Sequence, residues 1–206
     1  MHFEFLVEEP SAKVALQNVV PQILPSDHTF DIHAYQGKRD LLTKLPQRLK
    51  GYRSWMPQDY RIVVLIDEDR RDCHKQKAEL EGIAAAAGLS TKLTPDSDGR
   101  YRVINRLAIE ELEAWFFGDF DAINWAYPKV PITLKKKPKY RHPDQITGGT
   151  WEALERLLRR FGYYPGGMPK IETARRISEQ MKPILNRSKS FQVFMQAIEQ
   201  AYQSPT

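Results

Sequence analysis

The first half of the chain alternates between the apolar period of strands and that of helices. Strands are predicted at residues 3–7, 29–35, 61–66, 89–93 and 101–109, and helices at residues 12–24, 39–50 and 70–87. The run at 61–66, Arg-Ile-Val-Val-Leu-Ile, is almost wholly apolar, as expected of a parallel strand buried on both faces. The alternation predicts an α/β fold with a mostly parallel sheet and helices on both faces.

The pattern changes after residue 128. Several prolines interrupt a basic segment, and helical spacing returns near residues 150–161, 170–181 and 188–202. We expect residues 1–128 to form the α/β core and residues 129–206 to form a basic helical cap that packs on it. No apolar run approaches the roughly 20 residues of a membrane span, and we expect a cytoplasmic protein without membrane contact.

The net charge of +5 is divided unevenly between these two parts. Residues 1–128 hold 16 Lys and Arg against 20 Asp and Glu, a net charge of −4, whereas residues 129–206 hold 15 against 6, a net charge of +9. A basic surface beside an acidic site suits an enzyme that acts on nucleic acid, DNA or RNA. The candidate nucleic-acid contacts are Lys135, Lys136, Lys137, Lys139 and Arg141. A solvated loop explains the same run equally well.

Acidic side chains follow two of the predicted strands. Glu8 and Glu9 come after the strand at 3–7, and Asp67 and Asp69 come after the strand at 61–66. Because the carboxyl ends of parallel strands share one edge of a sheet, we expect these acids to meet there and to bind Mg²⁺ or Mn²⁺ through hard oxygen ligands. Alternatively, the acids at 67–69 cap the following helix, since carboxylates favour helix amino termini.

These motifs resemble those of the Toprim (topoisomerase-primase) superfamily, in which an acid ends the first strand and an Asp-x-Asp pair ends a later one. The resemblance implies that Glu8, Asp67 and Asp69 are metal ligands. The Toprim pattern usually has Gly directly after the first acid, and here Glu9 stands in that place. Glu9 prevents the closest backbone approach to a phosphate but adds a possible metal ligand.

Two further motifs are similar to those of a group of bacterial Toprim-like proteins related to the nuclease domains of overcoming-lysogenization-defect proteins. They are Glu113-Ala114-Trp115 and Pro169-Lys170. The resemblance implies hydrolysis of phosphodiester bonds by metal-bound water. Glu111 or Glu113 would complete a second metal site or act as general base, and Lys170 would neutralise a phosphate oxygen. Glu110, Glu111 and Glu113 spread around one predicted helix, so at least one is expected at the surface.

The function expected from these patterns is that of a Mg²⁺-dependent nuclease, the effector of a bacterial defence system with a separately encoded ATPase. The ATPase is implied by the resemblance alone, and the chain itself has no Walker motif. Two alternatives stay open. One is a non-catalytic module that binds nucleic acid or a partner, and the other is a metal-dependent nucleotide phosphotransferase.

Overall fold

A four-stranded, all-parallel sheet lies at the centre of the computed structural model, which describes residues 1–203. The strands are β1 (His2–Val7), β2 (Thr29–Ala34), β3 (Tyr60–Asp67) and β4 (Val103–Ala108). Their order across the sheet is β2-β1-β3-β4. In the register, Val7 pairs with Leu65 and Asp67 pairs with Ala108, so all four strands end close to the same edge. The predicted α/β class is confirmed.

Eight α-helices surround the sheet in the described part of the chain. They are α1 (Pro10–Val19), α2 (Lys38–Trp55), α3 (Cys73–Ala86), α4 (Glu113–Gly118), α5 (Phe120–Ala126), α6 (Thr150–Arg160), α7 (Lys170–Ser178) and α8 (Lys189–Gln203). The basic segment between α5 and α6 forms three short 3₁₀ helices, Ile132–Lys136, Pro138–Tyr140 and Pro143–Gln145. No helix within residues 1–203 has the length and apolar character needed to cross a bilayer.

Alternating side chains of the central strands enter two separate cores. On β3, Val63 and Leu65 join one cluster, whereas Val64 and Ile66 join the other. The first cluster contains apolar residues of α1 and of α4 to α8, and the second contains residues of α2 and α3. Helices therefore cover both faces of the sheet, as the period of two in strand side chains requires. Buried residues from both sides of residue 128 belong to the first cluster.

The strand predicted at residues 89–93 is wrong. This segment makes only an isolated bridge between Thr91 and Val103. The Thr91 hydroxyl accepts a hydrogen bond from the backbone N–H of Thr94 at 3.0 Å, and Thr94 N–H also contacts the Thr91 carbonyl at 3.1 Å. Because the Thr91 side chain closes a local turn, the backbone curls away before a ladder along β4 can form.

Helix α3 begins at Cys73, three residues after the predicted start. Asp69 and Arg70 have φ values of 54° and 57°, which a right-handed helix cannot contain. The helix begins where the Asp72 carboxylate accepts hydrogen bonds from the backbone N–H groups of His74 and Lys75. Its end agrees with the prediction, since Gly88 has φ of +71° directly after the helical cap. The segment after β3 is thus a structured loop with its own geometry.

Candidate functional site

Glu8 lies at the carboxyl end of β1 and turns toward the end of β3. The residue is buried, and its carboxylate accepts a hydrogen bond from the backbone N–H of Asp67 at 3.2 Å. The backbone N–H of Gly37 donates to the Glu8 carbonyl at 2.9 Å, which brings the loop after β2 to the same place. The acidic ends of β1 and β3 therefore meet, as their positions in the sequence predict.

Asp67, the last residue of β3, lies among other carboxyl groups. Burial raises the pKa of the Asp67 carboxyl well above its usual range, and the charges of Glu113 and Glu8 raise it further. The Lys170 ammonium group acts in the opposite direction. Burial likewise raises the pKa of Glu8, although nearby Lys38 and the Asp67 N–H oppose the change. A cation between these carboxylates would relieve both the repulsion and the cost of burial.

Glu113 is the most deeply buried acid of this group, with only 1% of the residue exposed. It is the first residue of α4, and its Oε2 atom is buried without a hydrogen-bond partner. Burial raises the pKa of Glu113 to about 7, while Lys170 opposes the shift. A buried oxygen without a donor is costly. Glu113 is therefore either protonated or available to a ligand that the site admits.

Lys170 supplies positive charge to the site. It is the first residue of α7, and its ammonium group lies 2.5 Å from a carboxylate oxygen of Glu9 and 5.5 Å from the centre of the Trp151 ring. Burial lowers the pKa of Lys170, but the carboxylates of Glu113 and Glu9 outweigh this effect and raise it overall. Lys170 thus stays charged beside the acidic group.

Lys38 is a member of the site that sequence analysis missed. Its ammonium group donates to Asp69 Oδ2 at 2.5 Å, to Gln76 Oε1 at 3.1 Å and to the carbonyl oxygen of Asp67. Gly37, with φ of +96°, makes the turn that brings Lys38 to the sheet edge at the start of α2. In the sequence, the Gly37-Lys38 pair after a predicted strand was the one feature that could have indicated Lys38 as a site residue. Asp69 is therefore paired with an ammonium group.

The loops after β3 and β4 are bonded to each other. Asp69 N–H donates to the Glu110 carbonyl at 2.8 Å, and Glu110 N–H donates to the Glu68 carboxylate at 3.1 Å. Asp69, Arg70 and Glu110 all have positive φ, an unfavourable conformation for residues with a side chain. Three such residues in two adjoining loops mean that the backbone is held there in unfavourable conformations. Backbone strain of this kind is common at functional sites.

Glu111 is bonded to a different element, although its charge also raises the pKa of Glu113. Its Oε2 atom accepts hydrogen bonds from the backbone N–H of Trp151 at 2.7 Å and from the Thr150 hydroxyl at 3.0 Å. These groups are at the amino terminus of α6, where free N–H groups need acceptors. Glu111 therefore caps α6 from another part of the chain, and its catalytic role stays a prediction.

Comparison with known families gives one result. A family model described as "Domain of unknown function (DUF4276)" matches residues 7–199. The chain belongs to the DUF4276 family. The matched range runs from the end of β1 into α8 and includes Glu8, Asp67, Glu113 and Lys170. No curated protein and no solved structure matches this DUF4276 chain.

The predicted nucleic-acid contacts lie in the basic segment between α5 and α6. Lys135 pairs with Asp121 at 3.1 Å, and Lys139 lies over the ring of Tyr140 at 5.4 Å. A cavity of about 430 Å³ is bordered by Lys135, Lys136, Arg141 and Arg187 together with Asp119 and Asp121. Lys136, Lys137, Lys139 and Arg141 are exposed. Their charges are available to a polyanion, whereas that of Lys135 is partly neutralised.

The distances between carboxylate oxygens bear directly on the predicted metal site. Among residues 1–203, one group of at least three His, Cys, Asp or Glu side chains has ligand atoms that all lie within 4.8 Å of one another, and it consists of His2, Glu4 and Asp31. The carboxylates of Glu8, Asp67 and Asp69 do not meet this condition in their present rotamers. Lys38 and Lys170 already contact Asp69 and Glu9, so the two acidic residues face ammonium groups.

Proposed function

We propose that this DUF4276 protein is a nuclease that uses Mg²⁺ or Mn²⁺ to hydrolyse phosphodiester bonds. One observation carries the proposal: Glu8, Asp67 and Glu113 reach the same edge of a parallel sheet, where the other two acids repel the Asp67 carboxyl and Lys170 accompanies them. Glu8 and Glu113 are buried, and Asp67 is partly buried. Ligands of open α/β sheets bind outside the carboxyl ends of the strands. Strongly perturbed pKa values at such an edge are typical of functional sites.

The donor set fits a hard divalent cation. Carboxylate oxygens are the preferred protein ligands of Mg²⁺. The Oε2 atom of Glu113 has no hydrogen-bond partner and is therefore available as a metal ligand among these acids. Glu8, Asp67 and Glu113 are the residues that would hold the ion, and Asp69 would join them after it releases Lys38. When bound, such an ion lowers the pKa of water and stabilises charge on the reacting phosphate.

The remaining roles belong to residues of the chain itself. Glu9 holds the Lys170 ammonium group beside Glu113, where it can neutralise a phosphate oxygen of the substrate. Lys38 fixes the end of β3 through the Asp67 carbonyl. The exposed lysines of the basic segment would hold the flanking nucleic-acid backbone, since most contacts with such a polymer are made to phosphates.

A second candidate function rests on the two ammonium groups. Because Lys38 pairs with Asp69 and Lys170 pairs with Glu9, the site has cations of its own. A non-catalytic module would retain these pairs as structure and use its basic segment for binding. Metal-dependent activity separates the two candidates.

A cleavage assay on the full chain tests the proposal. The protein is incubated with Mg²⁺ or Mn²⁺ and with supercoiled plasmid, linear duplex DNA or structured RNA, alone and with an ATPase encoded beside it. We expect metal-dependent cleavage that falls at least about 100-fold in Asp67→Asn and in Lys170→Ala. Asp59→Asn is the matched control, because Asp59 is exposed just before β3, at the opposite end of that strand.

Two results would decide against a nuclease. Full activity in Asp67→Asn would place cleavage outside this site. Absence of cleavage under every condition, combined with calorimetry that shows no difference in Mn²⁺ binding between the wild type and Asp67→Asn, would favour the non-catalytic module. Cleavage of free nucleotides instead of polymers would favour phosphotransfer chemistry.

A further inference from the structure

A mixed group of imidazole and carboxylate side chains lies at the other end of the sheet. His2 and Glu4 are on β1, and Asp31 pairs with Glu4 across the β1–β2 ladder. One ligand atom from each of the three side chains lies within 4.8 Å of the other two. Glu4 and Glu8 are four residues apart along β1, which separates this group from the site at the carboxyl edge by roughly 13 Å of strand.

The orientation of the His2 ring directs one nitrogen into the group. Its Nδ1 atom lies 2.8 Å from the hydroxyl of Thr29, so Nε2 is the nitrogen that faces the carboxylates. Nε2 is 3.5 Å from Glu4 Oε1 and 3.6 Å from Asp31 Oδ2. A charge-assisted hydrogen bond would be shorter, about 2.7–2.9 Å. Two ligands of a tetrahedral metal ion, each about 2.1 Å from it, are about 3.4 Å apart.

Glu4 is held in place by groups outside this cluster. Its Oε2 atom lies 2.6 Å from His33 Nε2 and accepts a hydrogen bond from the Tyr52 hydroxyl at 2.9 Å. Arg48 donates in turn to that hydroxyl at 3.0 Å. The residue is only 7% exposed. Its Oε2 is thereby fixed while Oε1 remains directed at His2, and metal ligands are commonly oriented by outer hydrogen bonds of this kind.

We propose that His2, Glu4 and Asp31 bind a divalent transition-metal ion of the Zn²⁺ type. The imidazole nitrogen favours Zn²⁺ over Mg²⁺, which prefers oxygen ligands alone. The two distances from His2 Nε2 match tetrahedral coordination, and the carboxylate oxygens of Glu4 and Asp31 lie within 4.8 Å of each other. The Thr29 and His33 contacts supply the outer support. Three protein ligands leave a fourth position for water. The ion joins β1 to β2 and is independent of the proposed nuclease site.

Zn²⁺ titration of the tag-free full chain tests this site. Calorimetry and the visible absorption of bound Co²⁺ are recorded for the wild type, His2→Gln and Asp31→Asn. Asp31 is exposed and His2 lies at the start of a strand, so neither change removes a core side chain. His28→Gln is the matched control, because His28 also pairs with an acid, Asp27 at 3.0 Å, but lies outside the group.

We expect one Zn²⁺ per chain and the absorption of tetrahedral Co²⁺ in the wild type and in His28→Gln. Affinity should fall at least about 100-fold in His2→Gln and in Asp31→Asn, and about 10–100-fold in His33→Gln, which loses an outer contact. Asp67→Asn should bind as the wild type does, which separates this site from the proposed nuclease site. Wild-type protein that binds no Zn²⁺, or that binds it equally after His2→Gln and Asp31→Asn, would overturn the proposal.

Discussion

Glu113 combines almost complete burial with an oxygen that has no hydrogen-bond donor. The pKa of Glu113 is about 7 in the folded chain, against an ordinary value of 4.5. Between pH 4.5 and about pH 7, Glu113 is protonated in the folded protein but ionised in the unfolded chain. The free energy of unfolding therefore falls as pH rises through this window. A shift of this size corresponds to roughly 3–4 kcal/mol at most.

Glu113→Gln should remove much of this pH dependence, because an amide cannot ionise. Urea unfolding of metal-free protein at about pH 5 and about pH 8 measures this pH dependence. The free energy of unfolding of the wild type should fall more between the two pH values than that of the variant. Glu172→Gln, a change at an exposed acid of α7, serves as control. Equal pH dependence in wild type and Glu113→Gln would mean that Glu113 ionises normally in the folded chain.

At the scale of elements, the loops at the carboxyl edge are held by contacts between residues that are far apart in the sequence. Lys38 at the start of α2 binds the end of β3, and Glu111 after β4 caps α6. The Glu111 contact replaces the local cap that a neighbouring residue usually supplies. Helix α6 has Gly149 at its cap position and no local side-chain acceptor there. Its amino terminus therefore depends on Glu111.

Glu111→Ala should lower the free energy of unfolding by about 1–2 kcal/mol, because it removes the acceptor for the α6 N–H groups. Glu111→Gln keeps an oxygen acceptor and should cost less. Thermal and urea unfolding give the stabilities, and Glu152→Ala, an exposed acid in the first turn of α6, is the control. A general base would show the reverse pattern: normal stability in both variants and loss of cleavage in Glu111→Gln.

At the scale of the whole molecule, acidic and basic side chains are concentrated in different places. The acids gather at the carboxyl edge of the sheet, and the exposed lysines lie in the segment between α5 and α6. Apolar residues on both sides of residue 128 share one core cluster, which connects the two parts. The division into an α/β core and a helical cap stays a prediction about organisation.

Replacement of Lys136, Lys137 and Lys139 by Ala should weaken oligonucleotide binding and flatten its salt dependence. The slope should fall by up to about one unit per lost phosphate contact. Fluorescence anisotropy across salt concentrations measures the slope. The control replaces Arg39, Lys44 and Lys50, three exposed cations of α2. The same slope in wild type and test variant would identify the basic segment as solvated surface.

The sequence by itself determined the order of the main strands and helices, because side-chain period reports which face of an element is buried. It also predicted that Glu8 and Asp67 meet, since parallel strands end at one edge. Tertiary structure decided the rest. Lys38, Glu4 and His2 reach their partners through sheet register and loop geometry. The turn at Thr91 ended a predicted strand through a local side-chain hydrogen bond, whereas the long-range contacts leave no local period in the sequence.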